Sequence, residues 1–198
     1  MAYRKTAIMK KKILFFFYIL LCTTINGQTS IAELYHNEDY KSLSKFEDKD
    51  SSLNGEELYM VGYAFYRLEK DDKAIEFYDK AIAKGFDNGI PHFYKSVSLT
   101  YLKKYEEASK EIDMALQKEP NNQEYMNQKG LIYKSKGLED KALDYFEEAT
   151  RYPNTYGEPF FWVAYIYHGK QVFENALKLY CVAADKVPKF NNYYVTTL

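Results

Sequence analysis

Gly62-Tyr63-Ala64-Phe65-Tyr66-Arg67-Leu68-Glu69-Lys70-Asp71-Asp72-Lys73-Ala74-Ile75-Glu76-Phe77-Tyr78-Asp79-Lys80-Ala81 carries a pattern that returns down the chain. Its alanines recur at a period of 34, as Ala74, Ala108, Ala142 and Ala176 and as Ala81, Ala115, Ala149 and Ala183. Gly62 is followed by Ser96, Gly130 and Ala164, all small. Phe65 is followed by Leu99, Tyr133 and Tyr167, and Tyr78 by Ile112, Phe146 and Tyr180, all large. A repeat that keeps phase without an insertion implies stacked copies of one supersecondary unit. Leu58, Gly62 and Phe65 share one helical face, and Ala74, Tyr78 and Ala81 share a face of the next helix. Small residues let two helix backbones approach, and large ones from the neighbour fill the space above them.

These columns resemble the tetratricopeptide repeat (TPR) family, whose unit is a 34-residue helix-turn-helix with a small residue in the first helix and alanines in the second. In the fourth unit Phe160, Val163, Ala164, Tyr167, Ala176, Tyr180, Ala183 and Pro188 follow the pattern. The second closes on Pro120-Asn121-Asn122. Departures are Phe86 where proline is usual, Pro153 one place early, and His92 and Lys129 at places that are usually apolar. The resemblance implies an all-α, right-handed superhelical solenoid of stacked helix-turn-helix repeats, with a concave groove lined by first helices.

Four units are expected at 55–88, 89–122, 123–156 and 157–190. Their predicted helices are 56–69, 72–84, 90–103, 106–118, 123–136, 139–151, 158–170 and 173–186. Residues 28–54 read as a degenerate helical cap, with helices over 30–36 and 39–49 and a loop over 50–55. Residues 191–198 form a C-terminal tail. Such a tail is marginal for a helix, so it either folds back or leaves the last helix free to contact another molecule, as in a homodimer.

Working toward the N-terminus, residues 1–12 hold Arg4, Lys5, Lys10, Lys11 and Lys12 and no acid. The run from Ile13 to Cys22 that follows is uncharged and too short to cross a bilayer comfortably. A basic start, a short apolar middle and a small polar end predict a signal peptide over 1–27. An uncleaved anchor is the alternative, and Leu21 before Cys22 is bulky for a lipoprotein. The expected setting is an exported protein, periplasmic or secreted, of a Gram-negative bacterium, with no membrane insertion after cleavage. Without residues 1–27 the chain has 22 basic and 28 acidic residues, a net charge of −6. One cysteine, Cys181, then remains, and burial is its expected state, with an intermolecular bridge as the alternative.

Two cysteines and three histidines offer little for a metal centre. The balance of 27 basic and 28 acidic residues argues against nucleic acid as partner. No phosphate-binding glycine loop or nucleophile elbow is present, and the acidic pairs at 71–72, 106–107 and 147–148 suit helix starts and outer faces. No enzyme chemistry, cofactor or metal is expected. The 21 tyrosines and 13 phenylalanines remain to be placed. By similarity to the family, the exposed groove stripe is Tyr59, Tyr63, Tyr66 and Arg67 in the first unit, then Phe93, Val97, Thr100 and Tyr101. The third unit adds Asn127, Leu131, Lys134 and Ser135, and the fourth Phe161, Tyr165 and His168. Known chaperone-tail grooves of the family use basic residues and Asn to clamp a carboxylate, whereas this stripe is mostly aromatic. It grips a peptide or helix of a partner protein, with Lys134 and Arg67 steering, or binds a glycan, or packs between helices. The assembly alternative places the contact at the uncapped C-terminal end, within an envelope complex or between copies of the chain.

Overall fold

The computed structural model describes residues 30–152 and 156–186. The signal peptide, Pro153, Pro188 and the 191–198 tail lie outside the described residues. Helix α1 (Ile31–His36), helix α2 (Tyr40–Leu43) and a 3-10 helix (Ser44–Ser52) lead into four helix pairs. These are α3 (Gly55–Arg67) with α4 (Asp71–Ala83), α5 (Gly89–Tyr101) with α6 (Tyr105–Lys118), α7 (Gln123–Ser135) with α8 (Glu139–Thr150), and α9 (Gly157–Gly169) with α10 (Phe173–Lys186). Each helix packs on its pair mate, and each second helix packs on the next first helix, so the chain is an all-α solenoid.

The repeat columns are the contact surfaces. Ala74, Ala108 and Ala142 are fully buried and Ala176 nearly so. Gly130 shows why its column stays small, because a Cβ there would lie 2.5 Å from Cε1 of Phe146. At Gly62 the same addition would lie 3.0 Å from the Tyr78 ring, so the first unit is packed less tightly at this point.

Two further columns set the helix ends. Asn54, Asn88 and Asn122 accept backbone N–H bonds as N-caps of α3, α5 and α7, and Asn54 completes a capping box with Glu57. Tyr156 takes this place in the fourth unit. Each pair turns on a residue with positive φ, namely Glu69 (58°), Lys103 (59°), Gly137 (73°) and Gln171 (62°). The following N–H then bonds back to the first helix, Lys70 to Phe65, Lys104 to Leu99, Leu138 to Tyr133 and Val172 to Tyr167, which closes the helix end. Only the third unit uses glycine at this left-handed position, so three side chains there carry strain.

The cap repeats the same device, with Glu38 at φ 55° and Asp39 N–H bonded to Leu34 O. It departs from expectation after Leu43, where a 3-10 helix to Ser52 replaces the end of the predicted helix and the start of the predicted loop. Lys80 bonds Asp50 (2.6 Å), and Lys84 bonds the carbonyls of Ser51 (3.0 Å) and Leu53 (2.8 Å), tying this segment to α4.

Candidate functional site

The first helices carry the expected stripe, and the structure divides it. Tyr59, Phe93 and Asn127, read from sequence as exposed, are buried. The cause at Tyr59 is a cluster of rings gathered from the cap and two units. Its ring centroid lies 5.4 Å from Phe86, 6.1 Å from Tyr78 and 6.1 Å from Tyr94. Burial drives the Tyr59 hydroxyl pKa far above its usual value, with Tyr35 adding to the shift. Phe93 stacks on Tyr125 at 5.1 Å and 25°. Asn127 sits shielded with its Oδ1 unbonded.

Tyr63 is half-buried because the cap leans on it. Tyr35 and Tyr40 meet it edge-on at 5.3 and 5.8 Å, and Tyr94 does so from the other side at 5.0 Å. Arg67 closes this group. Its Nη1 donates to the Tyr40 hydroxyl (2.9 Å) and the Tyr63 hydroxyl (3.2 Å), with its guanidinium carbon 4.6 Å from the centre of the Tyr40 ring. Arg67 therefore fastens the cap to α3.

The accessible part of the stripe begins at Tyr66 and Tyr101, whose centroids are 6.4 Å apart. Tyr66 is half-buried, and burial foremost, then Tyr101, lifts its hydroxyl to about 12, so it remains a neutral phenol. Tyr101 is 66% exposed. Beyond half-buried Val97, Thr100 and Leu131 and exposed Ser135, Lys134 holds its ammonium 4.4 Å from the Trp162 ring centre and 5.3 Å from Tyr165. Phe161 packs across Trp162 (5.1 Å) and Tyr180 (5.7 Å), and Tyr165 is 47% exposed. His168 is exposed and lies edge-on to Phe173 at 5.5 Å.

Sequence reasoning passed over Tyr94 and Trp162. They stand in one column of the repeat, one step beyond the stripe, with Gln128 between them. Gln128 Nε2 bonds Thr100 Oγ1 at 3.2 Å, so this column links neighbouring units, and Trp162 Nε1 bonds Glu158 Oε1 at 3.2 Å. Its recurrence as three large hydrogen-bonding residues was the available signal.

The polar departures have a separate role behind the stripe. His92 is buried with Nδ1 2.7 Å from Glu111 Oε2 and Nε2 2.9 Å from Asp87 Oδ1. Glu111 also pairs with Lys95 (2.7 Å), Lys95 with Asp79 (2.5 Å), and Lys118 with Asp87 (2.7 Å). The Glu111 bond, reinforced by Asp87, raises the His92 pKa above its usual value. Lys129 pairs with Asp113 at 2.6 Å and lies over the Tyr145 ring. Glu106 and Asp140, at second-helix starts, pair with Lys136 (2.8 Å) and Lys170 (2.6 Å) of the following units. No cluster of His, Cys, Asp and Glu able to hold a metal occurs among the described residues.

Cys181 corrects another expectation, because it is exposed. It shares a face of α10 with Phe173 (59% exposed) and Leu177 (64% exposed). In earlier units this face meets the next first helix, as Ile75 and Leu143 show by packing into the neighbouring clusters. Among the described residues no helix is long and apolar enough to cross a membrane.

The family model described as tetratricopeptide repeat matches residues 58–83 and 123–156. A TPR repeat-containing protein of Methanocaldococcus jannaschii is 36% identical over 92 residues, 46% of this chain. That match spans only 16% of the relative's length. A thermophilic TPR protein of Thermus thermophilus superposes with a TM-score of 0.68 at 21% identity, covering 84% of this chain and 94% of the other. The protein YrrB, described as a TPR protein with an unusual peptide-binding site, gives 0.62 at 23% identity, covering 85% and 89%. Pseudomonas aeruginosa pilF gives 0.69 at 19% identity, covering 80% and 74%. At these identities the solved structures speak to the fold.

Proposed function

Since this chain belongs to the tetratricopeptide repeat family, we propose that it is an exported, non-enzymatic interaction module that holds a peptide or helical segment of a partner protein along its first helices. The observation that carries this reading is the pair of accessible aromatic groups on the first helices, Tyr66 with Tyr101 and Phe161 with Tyr165, with Lys134 held over two rings at the second. Tyrosine and phenylalanine offer large contact area with few rotamers to freeze, and they recur at binding hot spots. Tyr59, Phe93 and Asn127 support this surface from beneath, and Tyr63 and Arg67 hold the cap beside it. The YrrB description makes peptide binding a use known for a protein of similar fold.

The test is selection of binders from a randomised peptide library on the purified protein. Tyr101→Ala with Tyr165→Ala is expected to weaken selected peptides at least tenfold while leaving helicity and melting unchanged. Equal binding by the double variant refutes the groove.

A second reading, assembly through the C-terminal end, is favoured by the exposed α10 face of Phe173, Leu177 and Cys181. It expects a dimer in light scattering that Leu177→Ser dissolves, and a Cys181 bridge on non-reducing gels. A strict monomer at high concentration dismisses it.

A further inference from the structure

A cavity of about 580 Å³ opens at one end of the groove, where α3 turns into α4, lined by Tyr66, Arg67, Glu69, Asp71 and Tyr101. Two of its walls are the rings of Tyr66 and Tyr101, inclined at 34°. Glu69 and Asp71 bring carboxylates to it from the turn and the first residue of α4. The Asp71 Oδ1 is cut off from solvent and has no hydrogen-bond partner, an acceptor in need of a donor. Among the described residues no ion pair engages Glu69 or Asp71, although neighbouring Asp72 lies 4.0 Å from Lys104. The cation on the lining, Arg67, is committed elsewhere, through its bonds to the Tyr40 and Tyr63 hydroxyls.

Tyrosine faces attract cations, and two carboxylates against one engaged guanidinium leave the lining one negative charge in excess. An anionic side chain entering here would meet Glu69 and Asp71 at once. We propose that this cavity receives one cationic side chain, arginine or lysine, from the partner segment. This inference rests on the groove reading, and it names the chemistry that places the segment. A guanidinium or ammonium would place its charge beside the Glu69 and Asp71 carboxylates and against the rings of Tyr66 and Tyr101. Beyond residue 27 the 28 acids against 22 bases draw a basic segment toward the protein.

The direct test uses a small probe and needs no partner. The protein, labelled with carbon-13 in its tyrosine rings, is titrated with N-acetyl-arginine N-methylamide and with the neutral citrulline counterpart. Arginine is expected to shift the Tyr66 and Tyr101 ring signals, and citrulline at the same concentration to cause at most a tenth of the shift. Asp71→Asn combined with Glu69→Gln should abolish the arginine response. Glu69→Gln alone, which leaves the start of α4 intact, should weaken it about threefold. Equal shifts from both probes, or an undiminished arginine response in the double variant, overturn the proposal.

Peptides from the library separate this result from the groove reading. If selected peptides bind through Tyr101 and Tyr165 but arginine and citrulline behave alike, the cation site falls and the groove stands. If the arginine response is as expected and no peptide depends on Tyr101 and Tyr165, the groove falls and a cation site remains.

Discussion

Tyr78 and Tyr180 occupy the same place in the first and fourth units, 102 residues apart, yet their surroundings differ. Tyr78 is fully buried among rings from its own unit and the next, with Tyr59 at 6.1 Å and Tyr94 at 6.4 Å. Tyr180 is half-buried and touches Phe161, with exposed Cys181 and Leu177 beside it. One column of a repeat thus sits in two environments, because a unit completes its core only when a neighbour covers it. The first unit is covered on both sides, by the cap and by α5. Among the described residues, the fourth is covered only by α8.

Truncating both tyrosines is the strongest challenge to that contrast. Tyr78→Ala should cost about 3–5 kcal/mol in urea unfolding, as expected for a large side chain removed from a closed core. Tyr180→Ala should cost about 1–2 kcal/mol. Equal losses would mean that the two ends are equally closed. Tyr78→Phe isolates the hydroxyl, which is buried without a partner. Removing it should leave stability unchanged or raise it by up to about 1 kcal/mol.

The His92 cluster sharpens the comparison from the second unit, where buried polarity replaces apolar packing. His92→Ala takes one partner each from Glu111 and Asp87, which keep Lys95 and Lys118, and empties a buried site, at a cost of about 1–3 kcal/mol. The pH dependence has a definite sign. The His92 pKa is raised in the fold, by Glu111 foremost and then Asp87. Its stabilisation is therefore complete below the ordinary histidine value of 6.5 and disappears as pH rises through the higher folded value. Urea midpoints of the native chain should fall across that window, and His92→Gln should flatten the decline. A native midpoint that rises with pH there would contradict the pairing.

The fold was legible because small residues at fixed intervals leave a mark that outlasts variation elsewhere. Ala74, Ala108, Ala142 and Ala176 could be read directly, since a backbone–backbone approach admits few residue types. The capping column of Asn54, Asn88 and Asn122 was equally open to view, as one residue type at the same interval. The turn column was hidden, because Glu69, Lys103 and Gln171 share no chemistry and only the backbone reveals their role. Burial of Tyr59 was hidden for another reason. It depends on Tyr35 and Tyr94, which a single helical face does not contain. Cys181 could have been placed by its column, since Asp79, Asp113 and Glu147 precede it there, all acids suited to the surface. The same limit applies to the site. The stripe was readable as a face, while its division into a packed part and an accessible part required the cap over Tyr59 and Tyr63 and the next unit's Tyr125 against Phe93.

The turn column predicts a smaller effect that is shared along the solenoid. Lys103→Gly should stabilise the protein by about 1 kcal/mol by relieving a side chain at positive φ. Gly137→Ala should destabilise it by about the same amount. Opposite signs from these two changes, read as shifts in melting temperature, would show that the turn geometry is shared by units whose sequences there differ. A destabilising Lys103→Gly would place the importance of that residue in its side chain instead.

The smallest effect is expected on the uncovered face. Leu143 and Leu177 share a column, but Leu143 packs into the cluster with Val163 and Ile166 whereas Leu177 is 64% exposed. Leu143→Ala should cost about 2 kcal/mol, given its partial burial. Leu177→Ser should change monomer stability by less than about 0.5 kcal/mol, the range of ordinary surface substitutions. The two variants, measured at low concentration beside Leu177→Ala as the matched control, test covering in its simplest form, because the two leucines share a column and a side-chain size and differ in their neighbours. If Leu177→Ser lost as much as Leu143→Ala under those conditions, something would already cover α10, and the contrast between the two ends would fail. If the loss emerged only as concentration rose, the missing cover would be a second copy of the chain, since an apolar contact between molecules stabilises by mass action.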